Sequence, residues 1–204
     1  MRNDFRRHGQ QRRHPSESPN SNRAWAIEFS ADQITRANGK THISNIFYRD
    51  DRWRLEHQDI GPVNVTIVRK DKQVMWLLLS RLKHYKEIPY DSAQAPKVQE
   101  KLEGEVSRDK IGTETLDGHP IVLYEIRVQE GDRTDTYYQW LATDIHFPLK
   151  LAKKDGSWVV EYRRVRIGHV SDFLFQLPLN FQPLESFDGP KEKTPPASPP
   201  DAKM

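Results

Sequence analysis

Eight histidines, at positions 8, 14, 42, 57, 84, 119, 146 and 169, are the residues best suited to hold a metal or move a proton. Metal sites use close pairs such as His-x-x-x-His or Cys/His clusters, and none of the eight falls at such a spacing. Only Asp144-x-His146 could turn two ligands to one side of a strand, and without a third ligand no metal is expected. Nucleophilic and phosphate chemistry leave no trace either: there is no Gly-x-Ser-x-Gly elbow, no Gly-x-x-x-x-Gly-Lys loop and no Gly-x-Gly-x-x-Gly. Acidic pairs such as Asp50/Asp51 and Glu103/Glu105 sit at turns or element ends, where solvation and turn geometry account for them. A thiol nucleophile, a disulfide framework, a thiolate metal site and an acylated N-terminal Cys are excluded by the absence of cysteine. The expectation is a protein that is not an enzyme, has no cofactor and has no catalytic residues.

Aromatic residues carry more information. The chain has 5 Trp, 7 Tyr and 8 Phe, and Trp25, Trp53, Trp76, Tyr124, Tyr138, Trp140 and Trp158 fall inside strand-like runs. Aromatics favour strands and fill β cores. A curved sheet with little helix to plug its hollow side leaves two readings: large side chains fill that space, or it stays partly open as an apolar cleft.

The elements that must position these residues are short β runs separated by turn signals. A first strand carries Trp25, Ile27, Phe29 and Ala31 on one face, and Ala-Asn-Gly-Lys at 37–40 reads as a hairpin turn. Strands follow at about 41–49, around Trp53 and Leu55, at 63–69, at 73–79 and at 83–88. The run at 73–79 is apolar on both faces, which places it centrally. Five further strands are expected at 105–115, 121–129, 134–142, 149–154 and 158–167, with turns at Asp117-Gly118, Glu130-Gly131-Asp132 and Asp155-Gly156. One helix is expected over Gln94–Glu103, with Pro96 in its first turn and Val98 and Leu102 on one face, and one helical turn at Ser171–Leu174. About eleven strands in sequential hairpins give an all-β barrel or a strongly curved open sheet.

The charge divides the chain. Residues 1–23 hold six Arg against Asp4 and Glu17, or +4, whereas the central body holds 23 basic and 23 acidic residues and is neutral. The sequence pI of about 9.0 therefore belongs to a short polar arm and does not indicate nucleic-acid binding by the body. The arm reads as a solvated leader or as a weak contact to an anionic surface. A Pro-rich tail, 185–204, ends in Thr-Pro-Pro-Ala-Ser-Pro-Pro. The expected organisation is a disordered Arg-rich arm (1–23), an open β-barrel domain (24–184) and a disordered Pro-rich tail (185–204). The longest apolar run, Val74–Leu79, is far short of the ~20 residues of a spanning helix, and no secretory signal is legible, so no integral membrane protein is expected.

Seven segments stand in an order that resembles a known family. They are Phe-Ser-Ala-Asp (29–32), Arg-Trp-Arg-Leu-Glu (52–56), Ile-Val-Arg-Lys-Asp-Lys-Gln-Val-Met-Trp-Leu-Leu (67–78), His-Tyr-Lys-Glu (84–87), Ile-Gly-Thr-Glu-Thr-Leu-Asp-Gly-His (111–119), Phe-Pro-Leu-Lys (147–150) and Asp-Phe-Leu-Phe-Gln-Leu-Pro (172–178). Over residues 25–184 the chain resembles a bacterial family of unknown function, outer-membrane-lipoprotein-sorting-like, within the LolA/LolB-like superfamily of periplasmic lipoprotein carriers. The resemblance implies an unclosed antiparallel β-barrel of about eleven strands lidded by helices, a periplasmic location, and a lipid or lipoprotein acyl chain in the concave face. The amphipathic helix that opens the carriers is replaced here by the Arg-rich arm, and the lipid anchor of the acceptor member has no Cys to attach to. No functional residue of the carriers maps onto a matching position.

From strand parity and apolar character, the candidate lining residues are Trp25, Ile27, Phe29, Trp53, Leu55, Trp76, Leu78, Tyr124, Ile126, Tyr138 and Trp140, although parity alone does not say which face is concave. The expected partner is the lipid or acyl chain. An envelope sensor or protein-interaction module, bound to another envelope protein and without lipid, is the alternative.

Overall fold

A computed structural model describes residues 27–59 and 61–184; Trp25 and both tails lie outside the described residues. The strands are β1 (Phe29–Ala37), β2 (Lys40–Arg49), β3 (Arg52–His57), β4 (Val65–Arg69), β5 (Val74–Leu79), β6 (His84–Pro89), β7 (Glu105–Leu116), β8 (His119–Glu130), β9 (Arg133–Ala142), β10 (Phe147–Lys153), β11 (Trp158–Ile167) and β12 (Gln182–Pro183). They form one sheet in the order β12-β6-β5-β4-β3-β2-β1-β11-β10-β9-β8-β7. The end strands do not pair with each other, so the all-β, unclosed-barrel architecture is observed as expected, with the eleven expected strands in sequence. The twelfth, of two residues, runs parallel to β6 and was not legible. β1 and β11 join the halves over a long antiparallel ladder from Phe29↔Ile167 to Ala37↔Trp158, interrupted by a bulge that admits Arg164 at φ 52°. Bulges in β7 and β10 add local bend and twist, which help a sheet this wide to curl.

Local sequence explains the hairpins. Asn38 and Gly39 take φ values of 52° and 72°, the left-handed conformation that a two-residue turn needs. Asp117 and Gly118 repeat the device between β7 and β8 at 50° and 85°. The first strand starts at Phe29, later than Trp25, and continues to Ala37 because its partner β2 extends to Lys40.

The expected helix over Gln94–Glu103 does not form. A 3-10 turn at Ser92–Gln94, N-capped by Asp91 Oδ1 accepting from the Ala93 N–H at 2.9 Å, is followed by an irregular strap to Gly104. The span between its ends favours extended chain over helix. The strap links β6 to β7 across ten strand intervals, about 48 Å if the sheet lay flat. A ten-residue helix covers only about 15 Å, whereas extended chain covers about 33 Å. Val98 and Leu102, the expected helix face, are still buried in the core, at 1% and 8% exposure. Gly104, at φ +73°, lies so close to β8 that an added Cβ would meet the Gln129 carbonyl oxygen at 2.6 Å. The helical turn expected at Ser171–Leu174 is present as a 3-10 turn, Asp172–Phe175.

Two apolar clusters lie on opposite faces. The larger, on the concave face, centres on Phe29, Tyr48, Trp53, Phe147, Leu149, Leu151 and Tyr162 and includes Val98 and Leu102 of the strap. The smaller holds Val65, Ile67, Trp76 and Leu78 under Val170 and Phe175 of the C-terminal segment. β4 and β5 are therefore covered on both faces, as the apolar run at 73–79 implied, but β5 lies third from one edge of the sheet and not at its centre.

Candidate functional site

The concave face is mostly filled by its own side chains. Phe29 stacks on Tyr48 at 5.1 Å between ring centroids and meets Phe147 edge-on at 4.7 Å; Trp53 contacts Tyr48 at 6.2 Å and Tyr90, the first strap residue, at 6.0 Å. A cavity of about 940 Å³ remains at one end of the half-barrel, between the strap and the ends of β1, β2, β10 and β11. Its apolar lining is Ile27, Tyr48, Val98, Ile145, Phe147 and Ile167, and its polar lining is Glu28, Asp50, Lys70, Gln99, Glu100 and His146. The two readings of the hollow face thus both hold in part: aromatics fill the centre and a cleft survives at one end.

The candidates from the sequence divide among four places. Ile27 lines the cavity. Phe29, Trp53 and Ile126 are buried in the concave-face core, and Leu55 and Tyr124 pack against it half-buried. Trp76 and Leu78 belong to the cluster on the opposite face, where the Trp76 indole N–H donates to Glu87 at 2.7 Å. Tyr138 and Trp140 follow the opposite parity on β9 from Tyr137 and Gln139, yet Trp140 still packs half-buried against the concave-face cluster; their rings are 6.4 Å apart, with Lys150 over Trp140 at 4.3 Å and Lys154 over Tyr138 at 5.7 Å. Trp140 donates its indole N–H to Glu114. The ten described candidates therefore do not converge on one surface; the eleventh, Trp25, lies outside the described residues. Tyr48, Val98, Ile145, Phe147 and Ile167 were missed. Two of them, Tyr48 and Phe147, were traceable through pairing with or proximity to Phe29, but Val98 and Ile145 come from a strap and a turn that parity does not reach.

The charges at the cavity are unevenly matched. Glu28 already binds Arg49 at 3.1 Å and His169 at 3.1 Å and accepts from the Val170 N–H at 2.8 Å. Among the described residues, Glu100 has only His146 as an ion-pair partner, at 3.9 Å. Burial raises the Asp50 carboxyl above its ordinary range, and the neighbouring Asp51 and Glu28 carboxylates add to this; the Ile27 N–H and Lys70 oppose it. Burial likewise pushes the Tyr48 phenol up.

A polar network fastens the strap. Arg108 on β7 donates to both oxygens of Glu105 at 2.8 Å, to Gln139 Oε1 at 2.9 Å and to the Glu100 carbonyl at 2.7 Å, and its guanidinium lies 4.6 Å from the Tyr124 ring centre. Glu105 accepts from the Leu102 N–H at 3.1 Å, and Gln139 donates to the Gln99 carbonyl at 3.2 Å. The paired Arg108 holds the Glu105 carboxyl below its usual range.

At the opposite end of the same strands, His57 lies between Ser44 Oγ (3.0 Å from Nδ1) and Thr66 Oγ1 (2.9 Å from Nε2). A hydroxyl beside an imidazole is half of a nucleophilic site, but a hydroxyl, not a carboxylate, holds the other ring nitrogen, and the nearby Asp59 binds His42. Burial holds the His57 pKa below its ordinary value, against the pull of Asp59. A depressed folded-state pKa means the neutral ring's contribution is complete above about pH 6.5 and is lost as pH falls through the folded-state value. Thermal unfolding followed between pH 7.5 and 5 is expected to show a fall in Tm that is flatter in His57→Gln. Equal slopes in both proteins would refute this.

Asp144 and His146 diverge: Asp144 binds His119 at 2.8 Å, which lowers its pKa, while His146 faces Glu100. Among the described residues, no group of three His, Cys, Asp or Glu is placed to hold a metal, and no helix is long and apolar enough to cross a membrane.

No family model and no curated protein matches the sequence. Solved structures of similar fold do exist. An uncharacterized conserved protein from Thermus thermophilus superposes with a TM-score of 0.52 at 10% identity, over 78% of this chain and 91% of that one. MucB superposes with a TM-score of 0.51 at 16% identity over 76% of this chain, which spans 59% of MucB. A putative outer membrane lipoprotein-sorting protein domain from Vibrio parahaemolyticus gives 0.36 at 12% identity, over 75% and 90% of the two chains, too loose a superposition to bear weight. At these identities the likeness is one of fold: the open all-β sheet implied by the resemblance to the lipoprotein carriers is observed, but among the described residues an irregular strap and 3-10 turns stand where lidding helices were expected.

Proposed function

We propose that this protein is a non-enzymatic envelope protein that holds a lipid or lipoprotein acyl chain in the cavity beneath the strap. The observation that carries the reading is the cavity itself: about 940 Å³, walled by six apolar residues, at the end of a half-barrel whose remaining hollow is packed. That volume lies at the upper end of the ~300–1,000 Å³ usual for small-molecule sites. Each buried methylene contributes about 0.8 kcal/mol, so about ten contribute about 8 kcal/mol before association costs. That suits a carrier, which must release as well as bind. The periplasm is the compartment in which such a ligand would be met.

Native mass spectrometry with organic extraction tests this on protein purified without detergent from an envelope-containing host. A co-purifying acyl-chain mass is expected in the wild type. Ile145→Glu places a carboxylate in the apolar wall at a half-buried position at the margin of the core, and is expected to lose that mass while circular dichroism shows the variant still folded. A clean apo mass, with no uptake of a fluorescent fatty acid or neutral apolar probe, would sink the reading.

A second reading, a module that binds another envelope protein without lipid, is favoured by one observation. Phe173 and Leu179, at 76% and 106% exposure, flank a hollow formed with Arg54, Leu174, Leu177 and Pro178 on the C-terminal segment. Apo protein that self-associates or crosslinks through Phe173 would favour it.

A further inference from the structure

We propose that the cavity discriminates by head group, accepting amphiphiles with a cationic head in preference to those with an anionic one. The inference rests on the ligand-binding reading above and names its ligand class. The cavity is polarised. Tyr48, Val98 and Phe147 are buried at its inner wall, whereas Asp50, Glu100 and Lys70 are exposed around it. An entering tail seeks the apolar wall and leaves its head among the exposed groups.

Among the described residues the charge there is negative. Of the three lining carboxylates, Glu28 is engaged by Arg49 and His169, which leaves Asp50 and Glu100 to face the head group. Among the described residues, no side chain hydrogen-bonds to Asp50. Among the described residues Lys70 is the one Lys or Arg in the lining, and His146 stands 3.9 Å from Glu100. The next carboxylate along the β2–β3 turn, Asp51, is bound by Arg52 at 3.0 Å, and neither residue lines the cavity. An ammonium at the mouth meets two carboxylates that no described Lys or Arg pairs, while a carboxylate meets two like charges with, among the described lining residues, only Lys70 to offset them. At exposed positions each effect is a few-fold, so together they separate the two head groups about tenfold.

Displacement of the neutral apolar probe 1-N-phenylnaphthylamine by three C12 amphiphiles at low salt tests this on the full chain. Dodecylamine is expected to displace the probe at about one tenth the concentration that dodecanoate needs, with dodecanol between them. In Asp50→Asn/Glu100→Gln the gap is expected to shrink to about twofold or less, and 0.5 M NaCl is expected to narrow it in the wild type. Both substitutions are conservative changes at exposed positions, and circular dichroism checks that the variant is folded. Dodecanoate equalling or outcompeting dodecylamine in the wild type overturns the proposal, as does a gap that survives in the folded double variant. Failure of all three amphiphiles and the probe to bind is a different result: it removes the ligand-binding reading, and this inference with it.

Discussion

Replacing Arg108 by Met is expected to destabilise the protein by about 3–5 kcal/mol, because it leaves a buried carboxylate and a buried amide facing a vacated cationic site. The Glu105 side chain is 5% exposed and Gln139 is fully buried; both depend on Arg108 for a bond, and the Glu100 carbonyl loses its donor too. For a domain of this size the loss corresponds to a fall in Tm of about 6–20 °C. Strap residues 99–102 are held by this network, so their amide protons are expected to exchange faster than those of β10, whose core contacts do not involve it. The acid limb changes as well. In the wild type, the Glu105 contribution is complete above about pH 4.5 and is lost as pH falls through its depressed folded-state value; in Arg108→Met that part of the pH dependence disappears. The partner change Glu105→Leu made together with Arg108→Met is expected to recover part of the loss, since two apolar groups leave no stranded charge. A Tm within 2 °C of wild type in Arg108→Met would show that the network is not what fastens the strap.

Trp53→Ala is expected to cost about 3–5 kcal/mol without abolishing ligand capture. The indole is 2% exposed and sits between Tyr48 on β2 and Tyr90 on the strap, so its removal opens a void in the centre of the concave-face core. It does not line the 940 Å³ cavity. A fall in Tm of about 10 °C with the acyl-chain mass retained is the signature of a packing residue. Loss of ligand without loss of stability would instead make Trp53 a lining residue and move the site toward the middle of the sheet. Chemical denaturation and native mass spectrometry on the same sample distinguish the two, with Ile145→Glu as the opposite case.

Much of the fold was legible because it depends on local signals. Asn38-Gly39 and Asp117-Gly118 demand positive φ, and the runs between such turns alternate or are apolar throughout, so eleven strands and their places in the chain follow without long-range information, whereas the β1–β11 pairing that joins the two halves does not. The helix at 94–103 failed because Val98 and Leu102 satisfy a helical period by accident. Their burial is fixed by where the strap crosses the concave face, a consequence of β6 and β7 lying at opposite ends of the sheet. The candidate site fared similarly. Parity grouped Trp76 with Leu78 and Tyr138 with Trp140 correctly as same-face pairs, but could not orient either pair.

The sequence by itself determined the class of fold, the strand and turn positions, the neutral body and the absence of any thiol chemistry. Tertiary structure alone decided which face is hollow, how much of it is filled, and where the cavity opens. A period of two residues is identical for both faces of a strand, whereas curvature arises from twist, bulges and pairing summed over the whole sheet. The cavity walls come from β-strand ends, a turn and a strap far apart in sequence, brought together only when that curvature is complete.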